Sequence, residues 1–199
     1  MILKNPYWCF TNALKDNFCD RVIKHALDKK DKIGVVPGLV EKDLKKIRDS
    51  NVVFLQDEWI YETIAPFLDI ANKKAEWNFE YDCFQSIQFT KYKTKQFYDW
   101  HRDTGPNPYD TPDNLNTHNK IRKLSGVIQL TNPLDYKGGN FEIQPRIYKD
   151  SKIVTKTDQF FKPRGSIIIF PSYLWHRIKP VTEGTRYSLV IWALGQPFK

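Results

Sequence analysis

Two periodicities divide the chain. From Thr11 to about Lys29 the apolar residues fall at Leu14, Phe18, Val22-Ile23 and Ala26-Leu27, every three to four positions. That spacing predicts an amphipathic helix with Thr11 or Asn12 as its cap and charges on the far face. A second helix is expected over Glu58–Glu76, with Ile60, Ile64, Phe67-Leu68 and Ala71 on one stripe. Pro66 lies inside it, so a kink or a break into two helices is expected there. Val35-Val36-Pro37-Gly38 predicts a short strand ending in a turn, and Val52–Leu55 a second strand. No cluster of His, Cys or acids falls on the helical stripes, so residues 1–80 read as helical support.

From Asp82 onward the period changes to two. Phe84, Ser86, Gln88, Thr90 and Tyr92 alternate with Gln85, Ile87, Phe89 and Lys91, a strand pattern. Further strands are expected at Leu124–Thr131, Asn140–Gln144, Lys152–Thr155, Ser166–Phe170, Trp175–Ile178 and Arg186–Leu194. Asn132-Pro133, Gly138-Gly139, Pro163-Arg164-Gly165, Pro171-Ser172 and Glu183-Gly184 punctuate them as turns. Short strands with no helical period between them predict an antiparallel sandwich or jelly roll over residues 81–195. The fold class expected is therefore α+β, mainly β, in one domain spanning residues 1–199. Thr104 to Lys120 has no periodicity and is rich in Pro, Asn and Asp, which suits a lid or substrate loop.

Composition narrows the class further. Hydrophobic residues make up 41% and aromatic residues 15% of 199, which can build a sizeable core. The net charge of +8 raises an anionic partner or substrate, although the Lys and Arg residues are spread along the chain. Cys9, Cys19 and Cys83 are odd in number and widely spaced, which argues for free thiols and a reducing, cytoplasmic setting. No signal peptide or membrane span is visible.

The candidate chemistry begins at His101-Arg102-Asp103. A His and an Asp two apart on extended backbone face the same side and can reach one cation. His176, in Leu174-Trp175-His176-Arg177-Ile178, could supply a second imidazole from a distant strand. Two His and one carboxylate on one face is the arrangement of non-haem Fe(II) oxygenases, with a zinc hydrolase as the competing metal reading. Ten residues on, Arg186 with the Ser188 hydroxyl suits bidentate capture of a carboxylate. A buried arginine beside a divalent cation needs an anion, and a small dicarboxylate bridging both supplies one. That favours the oxygenase. His25 reads as exposed or structural, and His118 falls in the long loop.

From Gln85 to Trp192 the chain resembles the Fe(II)/2-oxoglutarate oxygenase superfamily in its prolyl 4-hydroxylase-type branch. The matching residues are Tyr92, Tyr98, His101 and Asp103; Leu124-Ser125; Tyr136 with Gly138-Gly139; Lys162-Pro163-Arg164-Gly165-Ser166; and Phe170-Pro171-Ser172. The run His176-x3-Pro180-Val181-Thr182-x-Gly184-x-Arg186-Tyr187-Ser188 completes the set. The resemblance implies a double-stranded β-helix core, with Fe(II) on His101, Asp103 and His176. It implies 2-oxoglutarate held by Arg186, with Ser188 and Tyr92 contributing, and O2 as the oxidant, with ascorbate as a further cofactor. Lys95 stands where that motif usually has glycine, and Gln129 where relatives often place a cosubstrate-contacting tyrosine. Trp100 reads as core, and Gly138-Gly139 as a tight turn. The implied reaction releases succinate and CO2 while hydroxylating a C–H bond, in a peptide or protein substrate with proline foremost. Oxidation of a free amino acid, another small molecule or a nucleobase is the alternative; no stacking-and-basic motif supports nucleic acid. A non-catalytic jelly-roll binding domain is a third reading, which the intact triad and Arg186 oppose.

Overall fold

The computed structural model describes residues 3–36, 41–144, 148–149, 152–153 and 161–198. Its helices are α1 (Asp16–Leu27), α2 (Glu41–Ile47) and α3 (Glu58–Lys74). The strands before the long loop are β1 (Trp8–Phe10), β2 (Lys32–Ile33), β3 (Arg48–Asp49), β4 (Asn51–Leu55), β5 (Cys83–Phe84), β6 (Ile87–Lys93) and β7 (Phe97–His101). Those after it are β8 (Ile121–Gln129), β9 (Tyr136–Gly138), β10 (Phe141–Gln144), β11 (Tyr148–Lys149), β12 (Lys152–Ile153), β13 (Ile167–Pro171), β14 (Trp175–Ile178) and β15 (Val181–Gly195).

The strands form two antiparallel sheets and a small hairpin, β11–β12. The larger sheet has the order β1-β13-β8-β15-β6-β4-β2, with β5 and β9 also pairing β15. The smaller has the order β10-β14-β7-β3. Inner residues of both sheets, among them Val127, Phe170, Phe141 and Ile178, pack into one cluster. That is the expected jelly-roll core, and no helix of the described residues is long and apolar enough to cross a membrane.

Strand alternation gives the larger sheet two chemically different faces. Leu189, Ile191 and Ala193 on β15, Ile87 and Phe89 on β6, and Leu124 and Ile128 on β8 face the helices. There they meet Cys19, Val22 and Ala26 of α1 and Ile60, Ile64, Leu68 and Ala71 of α3, all fully buried. Each such aliphatic side chain contributes roughly 1.5–3 kcal/mol by leaving water. The intervening residues, Ser125, Gln129, Arg186 and Ser188, are polar, equally buried, and face the smaller sheet.

Some local expectations are corrected. Of the kink or break expected at Pro66, the break does not occur: α3 runs from Glu58 to Lys74 with Pro66 inside it. Pro66 is on the exposed side, where water can satisfy the carbonyl its ring leaves unpaired, while the buried stripe is untouched. Val35 and Val36 form no strand; the pairing comes earlier, Lys32 with Val52 and Ile33 with Asn51. Val35 is instead held by its carbonyl, which accepts from Arg48 Nη1 at 3.0 Å. Pro37-Gly38 lie outside the described residues, as does the end of the expected 152–155 strand beyond Ile153. The short β1 and α2 were not expected from periodicity.

Candidate active site

The smaller sheet places the two imidazoles. His176 on β14 is the direct register partner of His101 on β7, and their ring centroids are 4.1 Å apart. Asp103 follows just past the end of β7, where its N–H donates to the Ser172 carbonyl at 3.0 Å. Its Oδ2 lies 3.5 Å from His176 Nε2 and its Oδ1 3.9 Å from His101 Nε2. One donor atom from each of the three residues falls within 4.8 Å of the others, a spacing that can hold a metal ion.

The surroundings prepare those atoms for a cation. His101 Nδ1 bonds the Asp99 carbonyl at 2.7 Å and His176 Nδ1 the Leu174 carbonyl at 3.0 Å. Nδ1 therefore carries the hydrogen in both rings, leaving both Nε2 lone pairs turned toward Asp103. Ser125 Oγ donates to Asp103 Oδ2 at 2.7 Å and is itself tied to Ser172 Oγ at 2.8 Å, fixing the carboxylate. Burial pushes the His101 imidazole down to about 3, and the adjacent His176 adds to this. Burial would raise the Asp103 carboxyl, but His176, His101, Arg122 and the Ser125 hydroxyl together hold it at about 2. At neutral pH His101 is thus a neutral nitrogen donor and Asp103 a carboxylate.

Tyr98 stacks on His101, centroids 3.5 Å apart and planes 9° from parallel. Strict alternation would send a residue three positions away to the opposite face. A register shift between β14 and β7 resolves this: His176 pairs His101 while Ile178 pairs Tyr98, leaving an extra residue on β7. The bulge turns Tyr98 inward with His101. Trp100, expected in the core, is only half-buried and lies 4.6 Å beneath the Arg177 guanidinium carbon.

Arg186 sits on β15 opposite Tyr92 of β6 and is 1% exposed. Its Nη1 donates to Ser188 Oγ at 3.3 Å, while Nη2 is buried with no hydrogen-bond partner and no carboxylate pairs with it among the described residues. A buried guanidinium without a counter-ion is costly, so this end of the site fits an anionic ligand. Gly139, at φ +59° as a tight turn requires, packs where a Cβ would come 3.1 Å from Arg186 Cδ. Tyr92 is buried and 5.8 Å beneath the Arg186 guanidinium. Gln129, beside Ser188 across β8, spends its amide N–H groups on the Thr131 carbonyl (3.2 Å) and the Tyr136 hydroxyl (2.8 Å). Its Oε1 is buried and unpartnered.

A cavity of about 540 Å³ opens from the triad between the sheets, bounded by Thr104 to Asn107 and Tyr109 of the long loop. The rest of that loop is knitted to itself. The Tyr109 carbonyl accepts from the Asn119 N–H at 2.9 Å, and His118 Nδ1 accepts from the Thr111 N–H at 3.2 Å, a structural role. His25 is likewise structural, 2.9 Å from Asp57. Sequence reasoning missed Arg48 and Arg122 in this cavity. Arg122 lies flat on Trp192 at 3.7 Å, bonds Gln85 Oε1 at 2.6 Å, and reaches the Asp103 carbonyl at 3.3 Å. Arg48-Asp49-Ser50 resembled only the family's amino-terminal support, and the Arg122 partners come from distant segments, so neither was placed at the cavity.

Three comparisons place this geometry among known proteins. Residues 87–194 match the family model of the 2OG-Fe(II) oxygenase superfamily. A PKHD-type hydroxylase of Synechococcus sp. (strain JA-2-3B'a(2-13)) is 34% identical over 80 residues, 39% of this chain. The match spans only 32% of that relative's length. A Pseudomonas putida prolyl-4-hydroxylase structure superposes with a TM-score of 0.66 at 17% identity, covering 98% of this chain and 95% of that one. A Trichoplax adhaerens prolyl hydroxylase, solved with a hypoxia inducible factor peptide fragment, gives 0.63 at 16% identity over 96% of this chain and 84% of that one.

Proposed function

The chain belongs to the 2OG-Fe(II) oxygenase superfamily, and from that premise we propose that it is a 2-oxoglutarate-dependent dioxygenase hydroxylating a peptidyl prolyl residue. His101, Asp103 and His176 would hold Fe(II), and Arg186 with Ser188 would hold the distal carboxylate of 2-oxoglutarate. When bound, iron and ketoacid supply the O2 chemistry that yields succinate, CO2 and a hydroxylated C–H bond.

The protein's own residues bind, orient and exclude water. The carbonyls of Asp99 and Leu174 keep both Nε2 atoms free, and Ser125 keeps the Asp103 carboxylate aimed at them. Three protein donors would leave the rest of a metal ion's coordination open to the ketoacid and the oxidant. The observation that carries the reading is the pairing of this triad with a buried, uncompensated guanidinium, Arg186, on the same inner face. A dicarboxylate cosubstrate accounts for the metal ligands and the guanidinium together, whereas hydrolytic zinc chemistry by itself calls only for the ligands and a bound water. Tyr92 is cavity wall beside it, and Gln129 supports Tyr136 through its amide N–H while its Oε1 is left buried and unpartnered. Proline is supported by the hydroxylase names of the relatives and by the peptide in one solved neighbour.

The test is anaerobic addition of Fe(II) and 2-oxoglutarate, then O2. A weak visible charge-transfer band should form, followed by succinate. Folded protein with neither would remove the oxygenase reading. Succinate without a mass gain of one oxygen atom on any proline-containing peptide would remove the proline reading alone.

A further inference from the structure

Outside the cavity, two of the described arginines have carboxylate partners and Arg21 lies 3.9 Å from the Trp59 ring centroid. Arg164 pairs with Asp20 and, at 3.6 Å, with Asp16; Arg177 pairs with Glu142 at 2.7 Å and Asp99 at 3.5 Å. The three that line the cavity, Arg48, Arg102 and Arg122, have no carboxylate partner among the described residues. Arg48 is 5% exposed; it donates to the Ser50 hydroxyl at 2.9 Å and the Val35 carbonyl, and its Nη2 is buried with no partner. Arg122 donates to an amide and a carbonyl oxygen, and Arg102 stands exposed 5.1 Å from the Trp175 ring. Among the described residues the one carboxylate in the cavity wall, Asp103, belongs to the triad.

A divalent cation and a dicarboxylate would cancel each other, and the single Asp103 charge, which Arg122 helps to stabilise, offsets one of four guanidiniums. A surplus of three positive charges is then left in a concave site, where the buried Arg48 has no hydrogen-bonded carboxylate and a shared field acts on any ligand that enters. We propose that the substrate segment is acidic, with carboxylates flanking the oxidised residue that neutralise Arg48, Arg102 and Arg122. This rests on the peptide reading above and names the class of peptide.

The cavity favours a peptide over nucleic acid. Single-stranded nucleic acid needs open aromatic faces to stack its bases. Trp192 is covered by Arg122 and Tyr98 is sandwiched between Arg48 at 4.5 Å and His101, so among the described lining residues Phe54 alone offers an exposed ring, too few to stack successive bases. Phe54, 53% exposed, and Val35 form an apolar rim that suits side chains beside the charged ones.

The test uses the full chain with Fe(II) and 2-oxoglutarate under anaerobic conditions, so that binding is read without turnover. The probes are fluorescein-labelled nine-residue peptides with a central proline flanked on both sides by Glu, by Gln or by Lys. Fluorescence anisotropy should show the Glu peptide binding about tenfold tighter than the Gln peptide at low salt, a gap that narrows as salt rises, and the Lys peptide weakest. Arg102→Gln and Arg122→Gln should each shrink the Glu-to-Gln ratio, and Arg102→Glu should bring the Lys peptide above the Gln peptide. Arg177→Gln, whose guanidinium Glu142 already neutralises, should leave the ratio unchanged. Equal affinity of the wild type for Glu and Gln peptides overturns the proposal, as does no binding of any peptide while the charge-transfer band is intact. A single-stranded oligonucleotide bound more tightly than the Glu peptide overturns the choice of a peptide. The band and succinate formation test the oxygenase reading separately.

Discussion

The two faces of the larger sheet are built by the same strands and buried to the same degree, yet they do opposite work. On β15, Leu189, Ile191 and Ala193 meet only apolar helix residues, whereas Arg186 and Ser188, one position out of phase, meet polar partners and an unmatched charge. The helix face contributes stability through area removed from water. The inner face carries unpaired polar atoms at Arg186 and Gln129, which cost stability and make sense only if a ligand satisfies them. Stability and function are therefore segregated by strand parity, and changes on the two faces should separate the two properties.

The largest separation is expected at the triad. His176→Ala and Asp103→Ala should abolish iron binding and succinate formation, checked by metal analysis and the charge-transfer band, while thermal unfolding of the metal-free protein moves little. Collapse of the fold in both variants would break the segregation. Arg186→Ala should retain iron but raise the 2-oxoglutarate requirement steeply, since loss of a buried charge pair costs about 2–5 kcal/mol. Without ligand, the same variant should be no less stable than wild type, because a buried unpaired charge has gone. On the helix face, Ile191→Ala or Ile128→Ala should cost about 2–5 kcal/mol in denaturant unfolding. Either variant, kept cold enough to stay folded, should bind 2-oxoglutarate as wild type does.

Much of this division is legible in the chain, and the reason is parity. The alternation through Gln88, Thr90 and Tyr92 and the two-residue spacings of His101 with Asp103 and Arg186 with Ser188 assign functional groups to one face by pattern alone. The family resemblance then ties His176 to them. What escaped is what parity and local pattern do not encode. The β7 bulge turns Tyr98 inward and leaves Trp100 outside, because an extra residue breaks the alternation. Arg122 escaped because its partner Gln85 lies in another segment, and the cavity position of Arg48 escaped because it depends on the stacking of Tyr98 and the carbonyl of Val35. β2 was misplaced because its pairing with β4 uses Lys32 and Ile33, which carry no alternating signature.

Cys19 tests the helix face by pH. Burial raises its thiol from 9.0 to about 11. The folded protein thus keeps the proton that the unfolded chain releases, so this contribution is complete below pH 9 and is lost as pH rises toward 11. The loss should be on the order of 2 kcal/mol and should disappear from the pH profile of Cys19→Ala. Cys19 should also resist alkylation in the folded state at about pH 8, where its thiol stays protonated. Rapid labelling there would show that the helix face opens locally.

The smallest effect concerns the junction between the two sheets. Lys95 lies between β6 and β7, at φ +74°, a left-handed conformation that a side chain with a Cβ pays for and glycine does not. Its backbone is held there by an N–H bond to the Val181 carbonyl at 2.7 Å, and Val181 donates in turn to the Gln96 carbonyl at 3.1 Å. These bonds pin the start of β15 to the turn that delivers β7, and with it His101, to the smaller sheet. The lysine is tolerated because the turn is fixed by backbone bonds and its side chain is exposed. Lys95→Gly should therefore relieve strain without moving the turn, offset in part by the greater entropy of glycine in the unfolded chain. The net gain should be below about 1 kcal/mol in denaturant unfolding, with 2-oxoglutarate affinity unchanged. A loss of stability would mean that the lysine side chain stabilises the turn that its backbone strains.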